Sequence, residues 1–92
     1  MLTGMTAFDN LRGRQLVISA LILAVDNRDR VLEICATTDG DVSHVRAALV
    51  REFKLDPMQA DAILGMQVRQ FTPRVIALMR VELAEVEAEL RA

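Results

Sequence analysis

The sequence contains no tryptophan or tyrosine, and only three phenylalanines, one cysteine, one histidine and two prolines among its 92 residues. A single cysteine, Cys35, cannot build a disulfide framework and fits a reducing, cytoplasmic setting. Cys35 and His44 together are too few to make a zinc site without help. No glycine-rich phosphate loop is present, and the glycine and glutamate spacings after Asp39 and Asp41 do not match a calcium loop. Long apolar runs are missing too. The strongest, residues 16–25, is ten residues long, about half of the ~20 that span a bilayer. Asp9, Arg12 and Arg14 fall where a signal peptide needs its apolar stretch. No excess of positive charge exists: the net charge is −2 and the pI about 5.3. Binding to nucleic acid through overall charge is therefore not expected.

What is present is apolar, charged and poor in helix breakers. Hydrophobic residues make up 52% and charged residues 26%, with a mean hydropathy of +0.26. The length implies one domain, and the scarcity of glycine and proline implies an all-α fold. The spacing predicts helices over about 8–26, 29–36, 41–53, 57–69 and 73–91, with residues 1–7 flexible. Residues 16–25 are rich in β-branched side chains, but Ala20, Leu21, Leu23 and Ala24 favour helix. Asn27 or Asp29 could cap the second helix, which could equally be a kinked continuation of the first. Asp56-Pro57 with Gln59, and then Thr72-Pro73, place a capping side chain before a proline at the first helical position. The last helix repeats Val75, Leu78, Met79, Leu83, Val86 and Leu90 at helical spacing, with Glu82 on that stripe and charges opposite. Two long terminal helices and three short ones between them suggest an antiparallel pair capped by a small helical globule.

No catalytic constellation is found. Asp41, Ser43 and His44 lie within one helical turn and do not line up as a triad; a solvated histidine in a first helical turn is the simpler account. Glu82, Glu85 and Glu89 read as a solvated face, and Met58, Met66 and Met79 as core filling. One feature exceeds an intramolecular account. The first helix is apolar nearly all round between Leu16 and Val25, and one partner helix covers one stripe. Burial on every side then implies a second subunit.

Residues 53–66, with Phe71 and Thr72, resemble the A subunit of bacterial DNA gyrase and topoisomerase IV. The family pattern there is approximately F-x-L-[ST]-x-x-Q-A-x-A-I-L-D-M-x-L, then L-T-G-L-E. Residues 24–31 are similar to its A-L-D-N-I-D-x-V, and the resemblance covers most of residues 14–90. It implies a descending and a returning helix that form an antiparallel coiled coil ending in a globule. Two globules meet across a two-fold axis as the exit gate for DNA, so the domain is expected to be gyrase A-like and dimeric. Departures stand at Gly65 (Asp in the family), at Pro73 and Val75 (Gly and Glu of T-G-L-E), and at Arg28 (apolar). Leu16 and Leu23, polar in the family, form with Ala20 a stripe that is expected to cover an additional contact. The family's tyrosine nucleophile has no counterpart, since the chain has no tyrosine.

The leading expectation is therefore a non-catalytic homodimerisation module, linked to DNA topology and needing no cofactor. Its interface is expected at Met58, Ala62, Met66 and Phe71. An alternative is a regulator that pairs with a full-length gyrase A protein in place of its twin. A third reading is a small helical enzyme or ligand-binding protein using Cys35 and His44. Direct DNA contact, the weakest reading, would rest on Arg12, Arg14, Arg69 and Arg74.

Overall fold

Local capping decides where most of the helices begin. The computed structural model describes residues 6–92, so most of the stretch 1–7 expected to be flexible lies outside the described residues. Helix α1 (Ala7–Asp26) opens with a reciprocal box in which the Asp9 N–H donates to Thr6 Oγ1 at 3.1 Å. Asn27 ends α1 and starts α2 (Arg28–Thr37), but not as a side-chain cap. Its Nδ2 donates backwards to the Leu23 carbonyl at 2.8 Å, and its own backbone, at φ −125° and ψ 34°, interrupts the helix. Asp41 caps α3 (Val42–Phe53), which ends at Lys54 in a left-handed conformation with φ 56°. The Leu55 N–H then reaches back to the Val50 carbonyl, satisfying one of the helix's last acceptors. Asp56 caps α4 (Pro57–Leu64) and Thr72 caps α5 (Pro73–Arg91), each followed by the expected proline.

The helix expected over 57–69 stops at Leu64. Gly65, a weak helix former, still donates its N–H to the Asp61 carbonyl, but the ladder ends there. Residues Val68–Phe71 form a separate 3-10 turn. The break lets Met66 pack against both core clusters and sends Val68 outward, where it is 86% exposed. All the regular structure among the described residues is helical.

Helix α1 organises the core. Ile18, Ile22 and Val25 pack with Met79 and Val86 of α5. Ala20 and Ala24, two positions on and about 200° round the helix, pack with Val31, Ile34, Leu49, Ala60 and Ile63. The two alanines are almost wholly buried, so their small side chains set α4 close against α1. Gln59 reinforces this contact: it completes the α4 capping box and donates Nε2–H to the Leu16 carbonyl at 2.9 Å. The apolar girth of α1 is thus covered by two faces of the same chain, and that feature alone does not require a second subunit.

Cross-links fix α1 along α5. Gln15 and Arg14 reach Glu87 and Glu82 on α5, whereas Asp26 at the end of α1 meets Arg80, 2.7 Å away. Elsewhere Arg30 joins Glu52 and Glu33, and Arg46 joins Asp61. These pairs lie in solvent and orient elements more than they stabilise them. The molecule measures 42 × 36 × 19 Å, roughly two helices thick. No helix among the described residues is long and apolar enough to cross a membrane.

Candidate interaction surface

Exposed apolar residues mark where a thin helical slab is incomplete. Leu32, one turn into α2, is 61% exposed, and Val68 is the most exposed large apolar side chain among the described residues. They flank a groove of about 810 Å³ lined also by Phe71, Pro73, Ile76 and Ala77. The break after Gly65 presents Val68 and Phe71 from the 3-10 turn, and the Thr72–Pro73 start aims the first turns of α5 along the other wall.

Two guanidiniums border this apolar groove. Arg28 donates to the Val25 carbonyl at 3.4 Å, and Arg80 is held by Asp26. Asp26 and Asp29 lie beside Arg28, so the rim carries both signs of charge. Such an arrangement suits docking of an apolar side chain framed by polar contacts. Nothing in it resembles a nucleophile with its base.

A second groove, of about 360 Å³, lies near the start of α1 and is lined by Gly13, Val17, Ile18 and Met58. The 2.9 Å pair Arg14–Glu82 belongs to its wall. Two of the four residues expected at an interface line different grooves. Phe71 lines the first groove and Met58 the second, toward the other end of α1. Met66 lies between the two cores, and Ala62 is half-buried on α4. The stripe Leu16, Ala20, Leu23 faces inward: Ala20 and Leu23 join the first core cluster, and the Leu16 carbonyl holds Gln59. The stripe thus lies toward the chain's own α4.

His44 is committed to the start of α3. Its Nδ1 accepts from the Asp41 N–H at 3.2 Å and lies 3.0 Å from Asp41 Oδ1. The hydroxyl and N–H of Ser43, together with His44, hold the Asp41 carboxyl below the usual carboxylate range. Cys35 is a free, exposed thiol on α2. Among the described residues no three His, Cys, Asp or Glu side chains are grouped to hold a metal. Arg30 similarly lowers the Glu52 carboxyl by hydrogen bonding, while its own pKa is raised. Of the four arginines that could contact DNA, Arg12 bonds Gln15 and Arg14 bonds Glu82 near the start of α1. Arg69 and Arg74 lie in the 3-10 turn and the first turn of α5. The four do not share one segment of surface.

Leu32 and Val68 fall outside the interface expected from the sequence. The departure at Arg28, charged where the family pattern is apolar, is the sequence signal nearest to them.

No family model matches the chain. Curated relatives do. It is 35% identical over 74 residues to the DNA gyrase A protein of Metamycoplasma arthritidis, which is 80% of this chain and 8% of the relative. The Synechocystis gyrase A protein is 37% identical over 59 residues, covering 64% of this chain and 7% of the relative. That of Campylobacter jejuni is 33% identical over 79 residues, covering 86% and 9%. The chain thus spans less than a tenth of the length of these relatives. Over most of its own length it is similar to one short stretch of the DNA gyrase A protein.

Proposed function

We propose that this chain is a non-catalytic homodimerisation module of the gyrase A exit-gate kind, with α1 and α5 as its antiparallel pair and α2–α4 as its globule. The links Gln15–Glu87 and Asp26–Arg80 support that pairing: the start of α1 meets late α5, and its end meets earlier α5. The absence of tyrosine supports the non-catalytic reading, because the resemblance implies a tyrosine nucleophile for DNA cleavage. Its link to DNA topology is that of a fastening: two copies held together around a two-fold axis, without cutting.

The observation that carries this reading is the open apolar groove with Leu32 and Val68 beside it. Leaving such side chains in water forgoes about 25 cal/mol for each Å² that could be covered. The rim suits a like surface, since Arg28 and Asp29 are sequence neighbours and a two-fold operation can set each against the other. Light scattering on the eluting protein tests the proposal. The expected mass is twice the 10.2 kDa chain, and Val68→Asp lowers it to the single chain with helicity retained. A wild-type protein that stays monomeric at high micromolar concentration overturns it.

A further inference from the structure

The loop between α2 and α3 holds the single Asp-Gly pair of the sequence, Asp39-Gly40. Its two aspartates differ. Asp41 is tied: its carboxyl accepts from the hydroxyl and N–H of Ser43 and lies against His44. Asp39 is exposed, and among the described residues it has no ionic partner. The Gly40 N–H likewise enters no backbone hydrogen bond among them. The fold demands glycine at position 40. A φ of 107° is a conformation that L side chains rarely adopt, and a Cβ there would run into the His44 ring, which accepts the Asp41 N–H at the start of α3.

That demand has a chemical consequence, because no side chain on residue 40 shields its amide nitrogen from the carboxyl of the aspartate before it. We infer that Asp39-Gly40 is a site of spontaneous backbone rearrangement in the folded protein, from aspartate through a cyclic imide to isoaspartate. The Gly40 nitrogen attacks Asp39 Cγ and gives up its proton. A C–N bond forms, and one carboxyl oxygen leaves as water, which closes a five-membered ring. Water then opens the ring at either of its two carbonyls. Breaking the bond from nitrogen to Cγ restores aspartate. Breaking the bond from nitrogen to the main-chain carbonyl carbon leaves the backbone running through Cβ and Cγ, with a carboxylate on Cα. The net change is an isomerisation, so no oxidant, reductant or second substrate is needed. Asp41 is protected from the same reaction, since its carboxyl is engaged and the β-branched Val42 follows it at the start of α3. The product has one extra backbone carbon in the α2–α3 connection, directly ahead of the Asp41 cap. The site lies outside the lining of the groove, and the inference does not rest on self-association.

Incubation of the purified protein at physiological temperature and pH, followed by tryptic mapping, tests this. Trypsin releases residues 31–46 as one peptide, because Arg30 and Arg46 bound a stretch without Lys or Arg. That peptide is expected to split into two chromatographic peaks of equal mass, with a minor form lighter by one water. The rate is expected to be of the same order as for the chain unfolded in urea, and fragmentation to place the isoaspartate at position 39. Asp39→Glu abolishes the split, since glutamate would have to close a six-membered ring, which forms far more slowly. Its circular dichroism spectrum stays that of the wild type, as an exposed side chain without an ionic partner allows. A peptide that stays single in the folded protein while the unfolded chain splits overturns the inference, because the fold then shields the pair. Splitting that survives Asp39→Glu overturns it as well, by placing the rearrangement elsewhere.

Discussion

Asp41 gathers the start of α3 onto one carboxylate: the Ser43 hydroxyl lies at 2.6 Å and the Ser43 N–H at 3.0 Å. These bonds favour the charged form, so the folded pKa lies below the unfolded value, about 4 for an aspartate. The sign follows. The contribution is fully present above the unfolded value and is lost as pH falls through the folded one. Its size is small, because the carboxylate is three-quarters exposed. Asparagine is also a good N-cap and does not titrate in this range. Acidification from neutral pH to below about 4 is therefore expected to lower the melting temperature of the wild type more than that of Asp41→Asn. Thermal melts at a few pH values read this directly, and equal acid sensitivity of the two proteins would count against the assignment. The Gly40–His44 neighbourhood is tight as well. A Cβ added at Gly40 would come 2.5 Å from His44 Nδ1, at a positive φ of 107°. His44, in the first turn of α3, thus helps to cap its own helix.

At the level of the helix, Gly13 is the informative position. It lies in the interior of α1, and a Cβ built there meets nothing within 4 Å. Glycine in such a place is about 0.8–1.0 kcal/mol worse than alanine. Gly13→Ala is expected to stabilise the protein by about that amount in urea unfolding, with an unchanged slope. No gain would mean that the second groove, which Gly13 lines, needs the missing side chain. The starts of the helices were legible because each is written locally: Asp56-Pro57 with Gln59, and Thr72-Pro73, carry their caps within four residues. What covers each helix was not local. The apolar girth of α1 gave the same periodicity whether another protomer or α4 lay on it, and the pair Ala20–Ala24 became informative only with Leu49 and Ile63 in place. Val68 continued a 3/4 spacing from Leu64, so it read as a buried helix position until the break after Gly65 turned it outward. Likewise Leu78 satisfied the period of the inner stripe yet lies outside, since which side of α5 is buried depends on where α1 sits.

The slab as a whole is extended for its length. Its radius of gyration is 14.5 Å, against about 12 Å for a compact domain of this size. Its thickness leaves little interior, and Met66 is shared between both core clusters, so damage to one core is felt by the other. Leu49, Val25 and Val86 are the largest fully buried side chains, a small set for a chain this apolar. A domain so built has modest stability by itself, and the proposed self-association would add to it by mass action. Native dimers that unfold to single chains gain about 1.4 kcal/mol per dimer for each tenfold rise in concentration, or about 0.7 kcal/mol per chain. For a domain of this length that corresponds to a rise in melting temperature of about 3–6 °C. Calorimetry at two protein concentrations is expected to show this rise for the wild type and to show none for Val68→Asp. A concentration-independent melting temperature in the wild type would mean that the open groove adds nothing to folding. The thin slab would then stand on its two small cores alone.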